Sequence, residues 1–182
     1  MPLAYLSLGS NIGNRAAHLR DAVARMQQIG TVVSVSDFYE TEPVDVADQA
    51  WFVNCAVALE TSATPAHLMT ALLGIEKEMG RQRIASGLIQ NKLVQKKLPR
   101  TIDIDILLFD DAIVSEPGLE IPHPAMHRRR FVLEPLAEIA PQARHPVLKK
   151  TIRELLIVLP PGQIVRKISD QPAASQAGEV DL

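Results

Sequence analysis

Residues Arg100 to Leu108 read Arg-Thr-Ile-Asp-Ile-Asp-Ile-Leu-Leu, so carboxylates alternate with large aliphatic side chains over two full periods. Successive side chains of a β-strand point to opposite faces of the sheet. The pattern therefore predicts a strand with Asp103 and Asp105 on one face and aliphatic residues, up to Leu108, on the buried face. The two carboxylates would stand about 7 Å apart between their Cα atoms. At that separation they repel each other unless a cation lies between them.

Such an acid pair suits a hard divalent cation. Mg2+ binds oxygen ligands and is commonly held by one or two protein carboxylates together with substrate phosphates. Basic residues precede and follow the pair, namely Arg81, Arg83, Lys92, Lys96, Lys97, Arg100, His123, Arg128, Arg129 and Arg130. Two acids among so many cations indicate a polyphosphate ligand. The alternative is that both aspartates are solvated residues on an open sheet face.

Composition limits the class of protein. The chain has 182 residues, of which 47% are hydrophobic and 22% charged, as in a globular protein with a proper core. The formal net charge of −2 argues against a nucleic-acid partner. No signal peptide or transmembrane helix is recognisable, so a cytoplasmic protein without membrane contact is expected. The single cysteine, Cys55, alternates in phase with apolar neighbours and is interpreted as a buried core thiol.

The order of the predicted elements indicates the fold. In chain order they are a strand over 4–8, a helix over 15–29, strands over 31–39 and 51–61, a helix over 64–80, the acid-pair strand, an edge strand over 112–115, and helices over 131–139 and 151–159. Turn-forming residues from Gly9 to Asn14 separate the first strand from its helix. The order predicts an α+β, ferredoxin-like βαββαβ core with an antiparallel sheet, helices on one face and extra C-terminal helices. We expect one domain over 1–166 and a flexible tail over 167–182.

Five motifs occur along the chain in one order. They are Tyr5–Gly13, Phe52–Asn54, Gly80–Arg83, Arg100–Leu107, and Ile121–Pro124 with Arg129 and Phe131. Together they resemble the 6-hydroxymethyl-7,8-dihydropterin pyrophosphokinase family of the folate pathway. These enzymes move a pyrophosphoryl group from ATP to a pterin alcohol. The resemblance spans residues 5–141 and implies the same fold and reaction, with ATP and a reduced pterin as small-molecule partners of a monomer.

The resemblance also implies roles for the acids and cations. Asp103 and Asp105 would hold two Mg2+ ions that bridge the ATP phosphates, where charge builds up during transfer. Arg81 and Arg100 are the matching catalytic arginines. The residues that match ATP contacts are Glu76, Arg83, Arg100, His123 and Arg129. The alternative is an ordinary solvated basic surface for the cations and an ordinary helix-surface position for Glu76.

A second set of residues matches the pterin site of the family. Phe52 and Phe131 would form the two faces of an aromatic sandwich, because stacking needs flat, polarizable partners. Asn54 would meet the edge of the ring, since its amide can both donate and accept hydrogen bonds. The matching loop contacts are Thr41, Pro43 and Val44. The alternative for both phenylalanines is plain core packing.

Two loops depart from the family pattern. Family members usually carry a tryptophan and a glycine before the Pro-Arg pair, where this chain has Lys97-Leu98-Pro99-Arg100. The usual glycine of the pterin loop is replaced by Asp45. We expect the segment 84–98 to be mobile without ligands and to close over the ATP phosphates. The altered loop leaves two alternatives open, a diverged paralogue that binds pterin or nucleotide with little catalysis, and another metal-dependent phosphotransferase.

Overall fold

The computed structural model describes residues 1–43, 50–80 and 100–168 of the chain. The strands are β1 (Leu3–Ser10), β2 (Thr31–Val35), β3 (Phe38–Thr41), β4 (Phe52–Glu60), β5 (Asp103–Phe109), β6 (Val114–Glu116), β7 (Leu119–Ile121) and β8 (Val165–Ile168). The helices are α1 (Arg15–Met26), α2 (Pro65–Glu78), α3 (Arg130–Ile139) and α4 (Ile152–Ile157), with a 3-10 turn at Met126–Arg128.

Six strands form one antiparallel sheet. Its order is β5-β1-β4-β3-β8, and β2 also pairs with β4, beside β3 on the same edge. The remaining two strands, β6 and β7, form a separate hairpin. Strands β5, β1, β4 and the β2–β3 edge reproduce the arrangement of the split βαβ unit. The α+β, ferredoxin-like prediction is therefore confirmed.

The strand predicted over 31–39 is interrupted in its middle. The Ser36 hydroxyl donates to the carbonyl of Asp37 at 2.7 Å and accepts from the Ala56 amide at 2.9 Å. A serine hydroxyl can replace one bond of a strand ladder in this way, because it both donates and accepts. The chain therefore continues along β4 as two short strands rather than one.

The two faces of the sheet carry separate hydrophobic cores. Helices α1 and α2 cover one face, and their core includes Leu6, Leu8, Leu19, Val57, Leu72 and Ile104. Helices α3 and α4 cover part of the opposite face, with a core that includes Ala56, Leu107, Leu108, Leu133, Leu136 and Ile152. The prediction of helices on one face thus applies to α1 and α2 only. The part of the second face that α3 and α4 leave open carries the candidate site.

A β-bulge changes the side of the sheet on which the last side chains of β5 lie. Ile104 and Ile106 lie in the first core, as the alternation predicts, but the register with β1 shifts between Tyr5 and Leu6. Leu108 therefore pairs with Tyr5 and joins the second core. The prediction that Leu108 shares a face with the isoleucines was wrong, because a bulge inserts one residue and reverses the side chains that follow it.

Local signals placed the helix starts correctly. The Asn14 side chain accepts from the Ala17 amide at 3.1 Å, and Thr64 caps α2 by accepting from the His67 amide at 3.3 Å. Strand β1, however, runs two residues further than predicted and includes Gly9. At the other end of the chain, β8 pairs with β3 and continues two residues past the predicted boundary at 166. Across the described ranges, no helix combines the length and apolar character that crossing a membrane requires.

Candidate active site

A cavity of about 560 Å³ opens on the uncovered part of the second face. Strands β1, β3, β4 and β5 form its floor, the start of α3 forms one wall, and the chain that follows α4 forms its rim. Ten of the fourteen predicted site residues line it, namely Thr41, Pro43, Phe52, Asn54, Arg100, Asp103, Asp105, His123, Arg129 and Phe131. The fold therefore brings the two predicted ligand sites into one cavity.

Gly9 lies at the centre of the floor. It is paired with Asp103 on one side and with Asn54 on the other, so the three residues form one row across the sheet. A Cβ atom at Gly9 would stand 2.6 Å from Oδ1 of Asn54 and 3.6 Å from the Phe52 ring. A side chain at this position would displace Asn54, so glycine keeps the floor open. The sequence-based interpretation treated Gly9 only as a turn former.

The acid pair faces the cavity, as the alternation predicts. Asp103 forms an ion pair with the Arg100 guanidinium. Partial burial, followed by the charge of Asp103, raises the pKa of Asp105 to about 6, and Arg129 and Arg100 oppose this rise. The two carboxylates therefore form a site of unfavourable negative charge that a cation would relieve.

The backbone of Arg100 is held by Asn11, the residue that follows β1. The Arg100 amide donates to Oδ1 of Asn11 at 2.7 Å, and the Asn11 amide donates to the Arg100 carbonyl at 3.1 Å. Asn11 is buried, so this pair of bonds is protected from water. The guanidinium is thereby held beside Asp103 at the cavity wall.

His123 approaches the acid pair from the opposite side. Its Nδ1 accepts from the Ala125 amide at 3.1 Å, which leaves the proton of the neutral ring on Nε2. Nε2 lies 4.0 Å from Oδ2 of Asp105. Burial and the nearby Arg129 charge lower the pKa of His123. The ring therefore offers a neutral N–H donor to an anionic ligand beside the acids.

The predicted pterin side chains lie at the other end of the cavity. The Asn54 Nδ2 donates to Oγ1 of Thr41 at 2.6 Å, which leaves Oδ1 to face Gly9 and the open floor. Phe52 and Phe131 are half-buried at the cavity wall, and Phe131 also packs against the second core. The Arg129 guanidinium lies 5.7 Å from the centroid of the Phe131 ring. This end can take a flat ligand with a polar edge.

Glu76 does not line the cavity. It is buried on α2, and its Oε1 accepts from the amide of Ile104, between the two aspartates, at 2.8 Å. This geometry favours a role in holding β5, with ATP contact left as a prediction. Three further predicted residues, Val44, Arg81 and Arg83, lie outside the described residues, as do Asp45 and the segment 84–98.

Some cavity residues had no site role predicted from the sequence. They are Ser7, Gly9, Leu159, Pro160, Pro161, Gly162 and Gln163. Arg128 and Arg130, which belong to the predicted basic run beside the acid pair, and Glu42, between the predicted contacts Thr41 and Pro43, also line the cavity. The residues after α4 carry only the signal of a chain turn, Pro-Pro-Gly, and nothing local places them beside a site.

The fold and the cavity together define a class of protein. It is a ferredoxin-like α+β domain whose open sheet face carries an acid pair, cationic side chains and two half-buried aromatic rings. A family model described as 7,8-dihydro-6-hydroxymethylpterin-pyrophosphokinase (HPPK) matches residues 5–141. The chain belongs to this family, as its motifs indicate.

Named relatives agree with this assignment. The chain is 46% identical over 143 residues to the 2-amino-4-hydroxy-6-hydroxymethyldihydropteridine pyrophosphokinase of Bacillus subtilis, covering 77% of this chain and 79% of the relative. It is 42% identical over 168 residues to the Methylorubrum extorquens protein of the same name, covering 91% and 99%. A crystal structure of wild-type Plasmodium falciparum HPPK-DHPS with pteroate matches with a TM-score of 0.65 at 17% identity. That match covers 86% of this chain and 44% of the other, and it supports the fold alone.

Proposed function

We propose that the cavity catalyses the family's reaction with the side chains described above. The protein is a pyrophosphokinase that transfers a pyrophosphoryl group from ATP to 6-hydroxymethyl-7,8-dihydropterin in folate biosynthesis, and AMP is released. The observation that carries this proposal is the row Asp103–Gly9–Asn54, which places a carboxylate and a pterin-edge amide on one open floor. Adjacent strands lie about 4.8 Å apart. Asp103 and Asn54 stand on either side of Gly9, so the phosphate end and the pterin end are close enough for the two substrates to meet on the floor.

Two Mg2+ ions held by Asp103 and Asp105 are part of the proposal. The donor set fits, because both carboxylates are hard oxygen ligands, and burial together with the charge of Asp103 raises the pKa of Asp105. Among the described residues, no group of three acidic, histidine or cysteine side chains could hold a metal by itself. Substrate phosphates and water would therefore complete the coordination. Bound Mg2+ would neutralise charge on the transferred group.

The arginines of the cavity and the neutral His123 ring bind a different part of the substrates. Arg100, Arg129 and the Nε2–H of His123 bind and orient the polyphosphate next to the acid pair. Arg81, Arg83 and Glu76 stay proposed contacts of the nucleotide. Phe52, Phe131 and Asn54 bind the pterin, with Thr41, Pro43 and Val44 at its rim. A monomer is proposed as the family resemblance implies, and a cytoplasmic location is proposed because ATP is the co-substrate.

The test is a turnover assay with ATP, Mg2+ and 6-hydroxymethyl-7,8-dihydropterin in which AMP is measured. We expect AMP rather than ADP, which would separate this reaction from that of another phosphotransferase. Asp103→Ala and Asp105→Ala should each lower turnover more than about a thousandfold, because each removes a ligand of the metal-bound phosphates. Asp111→Ala, in the exposed turn after β5, is the matched control. Near-normal AMP release by either site variant would contradict the metal assignment.

A further inference from the structure

The segment that joins α4 to β8 forms part of the cavity rim. Residues 159–164, here called the C-terminal clasp, place Leu159, Pro160, Pro161, Gly162 and Gln163 against the cavity. The clasp lies beyond residues 5–141, the part of the chain that the family model matches. The motifs of the family therefore do not account for this wall.

Gln163 connects the two sides of the pterin end. Its Oε1 accepts a hydrogen bond from the Phe131 amide at 3.3 Å, and its Nε2 donates to the Glu42 carbonyl at 3.1 Å. The next clasp residue adds a third link, because the Glu42 amide donates to the Ile164 carbonyl at 3.1 Å. One side chain thus bridges the start of α3 and the end of β3.

The bond to Phe131 fills a gap in the capping of α3. The first amides of a helix have no partner within the helix and need one from elsewhere. Arg129, the residue at the N-cap position, makes no side-chain capping bond. Gln163 supplies an acceptor to the Phe131 amide from 32 residues away. The backbone that carries the Phe131 ring is therefore held by the clasp.

The bond to Glu42 acts on the opposite wall. Glu42 lies between Thr41 and Pro43, which both line the cavity, and the Thr41 hydroxyl accepts from Asn54. Holding the Glu42 carbonyl fixes this short stretch relative to Phe131. The Gln163 amide is therefore the side-chain link that joins the two walls of the pterin end, beside the backbone bond from Glu42 to Ile164.

We propose that Gln163 is a positioning residue for the pterin. It sets the separation between the Phe131 ring and the Thr41–Pro43 wall. The pterin ring can then stack on Phe131 while its edge contacts the opposite wall in a single orientation. The proposal deepens the function proposed above and rests on it. It assigns Gln163 an effect on pterin affinity and none on ATP affinity, because its bonds lie at the pterin end.

The experiment starts with Gln163→Met, which keeps the side-chain length and removes both bonds. Pterin affinity is measured by calorimetric titration with Mg2+ and a nonhydrolysable ATP analogue present. We expect the pterin Kd to rise about tenfold, as for the loss of one or two hydrogen bonds. The Kd of the ATP analogue should stay close to that of the unaltered chain, and the Tm should fall by no more than about 4 °C, as for the loss of one helix cap. Gln142→Met, at an exposed glutamine after α3, is the matched control and should change neither Kd.

Two further variants test how Gln163 acts. Gln163→Glu keeps an oxygen acceptor for the Phe131 amide but loses the donor to the Glu42 carbonyl, so we expect a pterin Kd between those of the unaltered chain and Gln163→Met. In the Phe131→Ala background, Gln163→Met should have little additional effect, because the ring that it positions is absent. A pterin Kd unchanged by Gln163→Met would overturn the proposal. So would additive effects of the two substitutions, or equal weakening by Glu and Met.

The same series separates this proposal from the proposed function. If Gln163→Met has no effect while Asp103→Ala abolishes AMP release and Phe131→Ala weakens pterin binding, Gln163 is not a positioning residue and the function stands. If the unaltered chain binds no pterin, the proposed function fails first and the positioning role fails with it. A parallel loss of Tm and of both affinities in Gln163→Met would show a general structural role and would also overturn the proposal.

Discussion

At the residue scale, the site depends on two residues of the floor, the small Gly9 and the charged Asp105. Gly9 has no side chain where a Cβ atom would stand 2.6 Å from Asn54 Oδ1. Asp105 carries a charge that burial and the neighbouring Asp103 disfavour. Each feature has a different consequence, the first for ligand binding and the second for stability.

Gly9→Ala should therefore weaken pterin binding. The added methyl group displaces the Asn54 amide from its place at the ring edge, and we expect a pterin Kd at least about tenfold higher. ATP affinity should change little, because the nearest atoms to the new methyl belong to Asn54 and Phe52. Titration with each ligand measures both effects. Gly74→Ala on α2, where the new methyl meets open space, is the control. Unchanged pterin affinity would mean that Asn54 does not contact the ring.

Asp105→Asn should stabilise the protein when no divalent cation is present. The pKa of Asp105 rises from 3.8 to about 6 in the folded chain, so folding favours the protonated form. The associated stability is present at pH below about 4 and is lost as the pH rises through 6. The full rise corresponds to about 3 kcal/mol, but the side chain is 42% exposed, and solvent screening reduces the effect to roughly 1 kcal/mol.

Thermal unfolding at pH 7.5 in the presence of a chelator tests this expectation. The Tm of Asp105→Asn should be a few degrees higher than that of the unaltered chain. At pH 4 the difference should shrink, because the unaltered carboxyl is then protonated as well. Asp111→Asn, in the exposed turn, serves as the control. A lower Tm for Asp105→Asn at pH 7.5 would show that the carboxylate is stabilised by its cationic neighbours instead.

At the element scale, β5 is an edge strand that also carries the acid pair. An edge strand presents amides without a ladder partner. Glu76 of α2 accepts from the Ile104 amide at 2.8 Å, so the helix covers this edge and holds the backbone between Asp103 and Asp105. The placement of the acids therefore depends on the contact between α2 and β5.

Glu76→Ala should lower the free energy of unfolding by about 1 to 3 kcal/mol, because it leaves a buried amide without its acceptor. Glu76→Gln keeps an oxygen acceptor, and we expect its free energy of unfolding to fall less than that of the alanine variant. Urea titration gives both values, and ATP binding is measured in parallel. A Gln variant with normal stability but much weaker ATP binding would instead support the direct nucleotide contact that the sequence predicted.

At the scale of the whole molecule, the central strand β4 separates the two cores. Cys55 lies on this strand in the first core, and its neighbour Ala56 faces the second. Burial raises the pKa of the Cys55 thiol to about 12. The thiol is therefore protected from chemical modification in two ways, by the packing around β4 and by its lack of ionisation.

Cys55 should report on global opening. At pH 8 a thiol reagent should modify the native chain at least about a thousandfold more slowly than the chain in denaturant, because reagent access requires the core to open. Saturating ligands should slow the native reaction further, since they stabilise only the folded state. The absorbance change of an aromatic disulfide reagent gives the reaction rate in denaturant and in the native chain with and without ligands. Rapid modification of the native chain would show that β4 opens locally.

The sequence by itself determined the features that have a local period or a local signal. The alternation around Asp103 predicted the strand and its open face, and Asn14 and Thr64 predicted the helix starts. These features could be predicted because each one depends on residues a few positions apart. The order of motifs along the chain indicated the family, and with it ten of the residues that line the cavity.

The tertiary structure alone decided the contacts between distant parts of the chain. The bulge that turns Leu108 into the second core arises from pairing with β1. The importance of Gly9 follows from its strand neighbours, and the contact of Glu76 with β5 follows from helix packing. Gln163 meets Phe131 and Glu42 across 32 and 121 residues of chain. No local pattern encodes such contacts, because they exist only once the separate elements have packed around a shared core.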